Sequence, residues 1–177
     1  MQGVHGLDCG DAYAPQRVLL AEDNLADVRL LREALTEGGS RATLVVAQTL
    51  QDALAAARTT SLDLLLVDLG LPDSQGLSTL RAVLKHIPDV PVVVMTGSDD
   101  EQTARLAVHE GAQDYLLKAD WSDLRATGRA IVRALRYAVE RHRILRELRE
   151  ANRVRSMFVA TASHELRTPL AIINDYA

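Results

Sequence analysis

The chain predicts a doubly wound α/β fold, a five-stranded parallel sheet with helices against both faces. Three observations predict it. Short apolar runs alternate with stretches of helical periodicity, the middle runs are almost wholly apolar, and glycine or proline punctuates the joins. A strand that is apolar on both faces must be covered on both, as crossover helices cover a parallel sheet. In order, residues 18–21 are read as the first strand and 26–37 as the first helix, which Gly38 and Gly39 stop. Strand 44–47 leads to helix 50–58. Strand 62–67 leads to helix 77–86, with Pro88 just beyond it. Strand 92–95 precedes helix 101–110, which Gly111 stops, and residues 115–117 form the fifth strand.

Five such units between residues 17 and 124 fit a flavodoxin-like arrangement, whose ligands sit at the carboxyl ends of the strands. From Trp121 onward Gly128 is the one turn signal before Pro169. A long C-terminal helix is therefore expected, nearly continuous from about residue 123 to 169, rising roughly 1.5 Å per residue. Ile144, Leu148 and Ala151 offer one apolar seam. Leu145, Leu148, Asn152, Val159, Ala162 and Leu166 offer a competing one, so the coiled-coil register stays open. A helix so polar has little else to hold it, and a parallel homodimer through it is expected. The chain thus divides into a disordered arm (1–16), the α/β domain (17–124), a helical linker (125–157) and a last helical segment (158–177).

A hydrophobic content of 47% beside 25% charged residues describes a soluble globular protein. A single cysteine, Cys9, excludes an internal disulfide and suits a reducing compartment. No run reaches the roughly 18 apolar residues of a membrane span. A cytoplasmic protein is expected. Residues 17–124 carry 17 acids against 9 bases, whereas 125–177 carry 11 bases against 5 acids. The basic half interleaves arginines with Glu140, Glu147 and Glu150 at helical spacing, which describes a solvated face and not a nucleic-acid surface.

The expected strand ends carry chemistry. Glu22, Asp23 and Asn24 follow the first strand, Asp68 the third, Thr96 the fourth and Lys118 the fifth. Carboxylates converging on one sheet edge repel unless a cation lies among them, and oxygen ligands of this kind suit Mg²⁺. Asn24 also suits a helix cap ahead of Leu25, Ala26 and Asp27. The chain holds 18 arginines and two lysines, so Lys118 is a departure from its own habit. Its compact ammonium suits a phosphoryl oxygen.

Together with the run from Leu64 to Pro72, and with Gly76 eight positions past Asp68, these residues resemble the response-regulator receiver family over residues 17–124. The resemblance implies that Asp68 accepts a phosphoryl group from a phosphohistidine donor. It implies that Asp23, Asp68 and the Gly70 carbonyl bind Mg²⁺, with Glu22 acting through a bound water. Thr96 and Lys118 would contact phosphoryl oxygens, and Tyr115 would be the switch aromatic that turns as Thr96 moves. Ala119 departs from the family's usual proline, which touches the output face. An aspartate-nucleophile phosphatase on a similar sheet would want an Asp where Gly70 stands.

Near the end, the run from Phe158 to Leu170 places His164, Glu165 and Thr168 on one helical face ahead of Pro169, which should kink the helix. This run resembles the phosphoacceptor box of sensor histidine kinases. It implies His164 as phosphoacceptor, Glu165 as its general base and Thr168 as the residue that positions water for the reverse reaction. No glycine follows Gly128, so no glycine-rich ATP loop lies in that stretch. The expected whole is the truncated front of a hybrid histidine kinase in a two-component phosphorelay. The alternative is a stand-alone response regulator with a dimerising tail and a non-functional His164.

Overall fold

Hydrogen-bonded pairing joins five strands in the order β2-β1-β3-β6-β7, all parallel. The computed structural model describes residues 15–97, 101–118 and 124–175, with side chains through Phe158 apart from those of Glu101 and Leu124. Along the chain run β1 (Arg17–Ala21), α1 (Leu25–Glu37), β2 (Thr43–Ala47), α2 (Leu50–Thr59) and β3 (Leu64–Asp68). A small antiparallel pair follows, β4 (Gly70–Leu71) and β5 (Ser74–Gln75), then α3 (Leu77–His86) and β6 (Val92–Thr96). Last come α4 (Glu101–Glu110), β7 (Asp114–Leu117) and α5 (Leu124–Asp175). The flavodoxin-like expectation holds, long C-terminal helix included.

Period-two alternation sorts the strand residues onto two faces. Leu19, Leu65, Val67, Val92 and Val94 pack into one buried cluster with Ala53, Leu80, Val83 and Ala107 from α2, α3 and α4. Val18, Leu20, Leu64, Leu66, Val93 and Met95 form the other with Leu31 and Ala34 of α1 and Ile131, Leu135 and Ala138 of α5. The leucines of β1 and β3 are fully buried, each contributing roughly 2 kcal/mol relative to an exposed side chain. Both faces of the sheet are thereby covered, which is why the strands read as unbroken apolar runs.

Three details differ from the sequence reading. The third strand begins at Leu64, not residue 62, because the Asp63 carboxylate turns back to accept from the backbone amides of Gln16 and Arg17, both at 2.8 Å. Gln16 in turn accepts from the Thr43 amide at 2.7 Å, so the sheet edge engages the chain just before β1. The rest of the expected arm, 1–14, lies outside the described residues, as does Ala119. The β4–β5 pair was not foreseen at all.

The two glycines after α1 have separate jobs. Gly39, at φ 80°, makes the left-handed turn that ends the helix. Gly38 has an ordinary helical φ of −75°. A β-carbon on it would lie 2.4 Å from the Gly128 carbonyl oxygen, and one on Gly128 would lie 2.2 Å from the Ala34 carbonyl oxygen. Gly128 therefore does not interrupt α5; it lets α5 cross α1 backbone to backbone.

The chain divides into two compact units, Met1–His142 and Arg143–Ala177. In the second, the Arg143 guanidinium pairs with Glu147 one turn on, at 2.8 Å. Ile144, Leu148, Val154, Met157 and Phe158 are exposed there. The helical assignment continues through Pro169 to Asp175. No helix among the described residues is long and apolar enough to cross a membrane.

Candidate functional site

Sheet order fixes where the site falls. From β1 the chain crosses to β2 on one side, and from β3 to β6 on the other, so a crevice opens at the carboxyl ends of β1 and β3. Ala21 is in register with Val67, which sets Glu22 and Asp68 side by side just beyond. Asp68 is level with Met95, and Thr96 with Leu117, so Thr96 and Lys118 close the same edge.

One carboxylate oxygen each from Glu22, Asp23 and Asp68 lies within 4.8 Å of the others. The Lys118 ammonium donates to Asp68 Oδ2 at 2.6 Å and to Asp27 Oδ2 at 2.8 Å, and stands 2.6 Å from Glu22 Oε2. Burial alone would lower its pKa, but the three carboxylates outweigh that and hold the lysine above its ordinary range. Glu22 is fully buried. Loss of water, helped by the neighbouring charge of Asp68 and opposed by Lys118, pushes its carboxyl from the usual 4.5 to about 7. Oε1 accepts from the Asn24 amide at 3.1 Å, whereas Oε2 has no well-aligned hydrogen bond despite the nearby ammonium. A fully buried carboxylate whose Oε2 has a lysine ammonium for its near neighbour, beside two further carboxylates, is a good fit for a hard divalent cation.

The remaining predicted residues are placed as follows. Gly70 follows two residues after Asp68, and its amide donates to Asp68 Oδ1 at 3.0 Å. That bond, the β4–β5 pair and the 2.7 Å bond from the Gly76 amide to Leu69 O fix the loop that leaves the site. Gly76 turns this loop into α3 at φ 62°, ψ −150°, a conformation open mainly to glycine. Thr96 is buried, and among the described residues its hydroxyl donates to Gly97 O at a long 3.3 Å. Tyr115 is half-buried against the α2–α4 side of the sheet and aligns with Val94 on the neighbouring strand. By the alternation of β6, Thr96 shares that face. Asn24 caps α1, accepting from the Ala26 amide at 3.0 Å. His164, Glu165 and Thr168 lie on α5, but their side chains are outside the described residues.

Sequence reasoning missed Asp27. It lies in the first turn of α1, and its carboxylate accepts from the site lysine. No local signal marks it, because the lysine it binds lies 91 residues further along the chain.

A family model for the response regulator receiver domain matches residues 18–127. The chain belongs to that family. Among similar proteins, the KDP operon transcriptional regulatory protein KdpE of Escherichia coli K12 is 42% identical over 101 residues, 57% of this chain and 44% of its own length. The luminescence regulatory protein LuxO of Vibrio campbellii is 38% identical over 109 residues, 61% of this chain and 24% of its own. The chain thus spans less than half the length of these two relatives. Among solved structures, the receiver domain protein of Clostridium thermocellum superposes with a TM-score of 0.59 at 25% identity, over 73% of this chain and 98% of that one. The signal receiver domain of an HD domain-containing protein from Pseudomonas fluorescens Pf-5 gives 0.63 over 80% and 98%, at 24% identity, a likeness of fold alone. A receiver belongs to two-component signal transduction and takes its phosphoryl group from a kinase partner.

Proposed function

We propose that Asp68 accepts the phosphoryl group from a phosphohistidine, with Mg²⁺ held by Asp23, Asp68 and the Gly70 carbonyl and by Glu22 through water. One observation carries this reading. Asp68 ends a buried strand at the switch point of the sheet, clustered with two further carboxylates and with an ammonium at 2.6 Å.

In the transfer, one Asp68 oxygen forms a bond to phosphorus as the phosphorus–nitrogen bond breaks and its electron pair leaves with the imidazole. Bound Mg²⁺ supplies neutralising charge at the phosphoryl oxygens. Lys118 supplies more, its ammonium already at the site edge among the carboxylates, where it can turn to a phosphoryl oxygen as the transition-state charge spreads. The weakly held Thr96 hydroxyl then exchanges Gly97 for a phosphoryl oxygen. Tyr115, on the same face, moves into the space vacated, a small two-state change. The helix α5 couples this domain to the phosphoacceptor segment of His164, Glu165 and Thr168 and pairs with a second copy through the exposed residues of the Arg143–Ala177 unit.

A small phosphodonor with Mg²⁺ should give one base-labile phosphoryl group per chain, and Asp68→Asn should abolish it. Full labelling of that variant would overturn the assignment. Incubation with a histidine-kinase ATPase domain tests the coupled segment: an acid-labile label lost in His164→Gln supports it. No label at His164 leaves the stand-alone regulator as the reading, which the regulatory proteins among the relatives favour.

A further inference from the structure

We propose that Asp27 is a positioning residue, taking the Lys118 ammonium when a divalent cation claims Glu22, Asp23 and Asp68. The inference rests on the metal reading above. In the structure Lys118 Nζ stands 2.6 Å from Glu22, 2.6 Å from Asp68 and 2.8 Å from Asp27. The first two carboxylates belong to the oxygen cluster that fits a metal, and Asp27 does not. Ammonium and metal are like charges competing for the same oxygens, so one must give way.

Asp27 settles where the ammonium goes. It sits in the first turn of α1, a rigid element anchored by Val28 and Leu31 in the core. Its side chain and that of Lys118 are both about one-fifth exposed, 21% and 18%. Their contact is therefore a partly desolvated, charge-assisted hydrogen bond, stronger than an exposed pair. Lys118 can release Glu22 and Asp68 while keeping this third bond, without crossing into solvent. It then waits beside the site, within reach of an incoming phosphoryl oxygen. Without Asp27 the ammonium has the metal's own ligands as its remaining partners in this cluster, and it competes with the cation.

The test is a double-mutant cycle on the full chain, read as Mg²⁺ affinity by titration calorimetry. Asp27→Asn, which keeps the side-chain shape, should weaken affinity about tenfold, the size of one charge-assisted hydrogen bond. In a Lys118→Gln background the same change should cost less than about twofold, because no ammonium is left to park. Asp27→Glu should restore most of the affinity. The Lys118 side-chain NMR signals add a readout independent of any phosphorylation: Mg²⁺ should shift them in wild type while they keep ion-paired character, which Asp27→Asn should lose. Equal losses with and without Lys118 would show Asp27 to be a mere remote charge and overturn the proposal, as would no loss at all. Failure of wild type to bind Mg²⁺ would instead sink the metal reading itself, and this inference with it.

Discussion

Replacing Gly128 with alanine should destabilise the receiver, although the same change in an ordinary exposed helix stabilises it by roughly 0.5–1 kcal/mol. The new β-carbon would stand 2.2 Å from Ala34 O and 3.0 Å from Gly38 N. Side-chain β-carbons essentially never come closer than 3.0 Å to a non-bonded atom, so α1 and α5 must separate by most of an ångström. Both obstacles are backbone, and Ala34 O already accepts from the Gly38 amide at 2.8 Å, so no side chain can swing aside. Moving α5 outward loosens Ile131, Leu135 and Ala138 from their core cluster. Overpacking of this kind costs typically about 1–3 kcal/mol, and the backbone contact puts the expected net loss near 2. Urea unfolding of the full chain followed by circular dichroism measures it, with Ala126→Gly, at an exposed position on α5, as the propensity control. An unchanged or raised midpoint for Gly128→Ala would refute the helix-crossing argument.

Further outcomes follow from the same structure. Asp73→Ala should cost about 1 kcal/mol through loss of a helix cap and speed hydrogen exchange at the Leu50 and Gln51 amides; unaltered exchange would count against it. Mg²⁺ affinity should fall as pH drops through about 7, because Glu22 must shed its proton to serve. The metal-free fold should correspondingly lose stability as pH rises from 4.5 to about 7, the sense expected for a carboxyl raised by burial. Calorimetry and urea melts one unit either side of that value decide both, and equal results on the two sides would refute them. Leu148→Lys should weaken self-association of the full chain in sedimentation; a wild type monomeric at every concentration would refute pairing through α5.

Most of the fold was legible because its signals are local or periodic. The continuous apolar runs of β3 and β6 announced burial on both faces, and Gly39 and Gly111 announced helix ends. The site was legible for a related reason: parallel strands bring their carboxyl ends to one edge, so Glu22, Asp68, Thr96 and Lys118 could be gathered without knowing any distance. What escaped depends on contacts between distant segments. Nothing local marks Gly38 as needed for space when its φ is ordinary, and the partner that demands it, Gly128, is far along the chain. Asp27 looked like a helix-start acid, since the lysine that defines it comes from another strand. The β4–β5 pair is too short to show periodicity.

Asp73 lies at the tip of that pair, and its carboxylate accepts from the amides of Leu50 at 2.8 Å and Gln51 at 3.0 Å. Thr49 accepts from Asp52 in the same turn at 3.0 Å. Loss of water would raise the Asp73 carboxyl, but the amides of Leu50, Gln51 and Asp73 itself together hold it below its ordinary value. The start of α2 is thus finished by a residue that arrives after the following strand. A recombination joint placed between α2 and β3 would inherit the amides from one parent and their acceptor from the other. Exchanges of sequence among receivers are therefore best tolerated when the stretch from Thr49 to Gly76 travels as one inherited block.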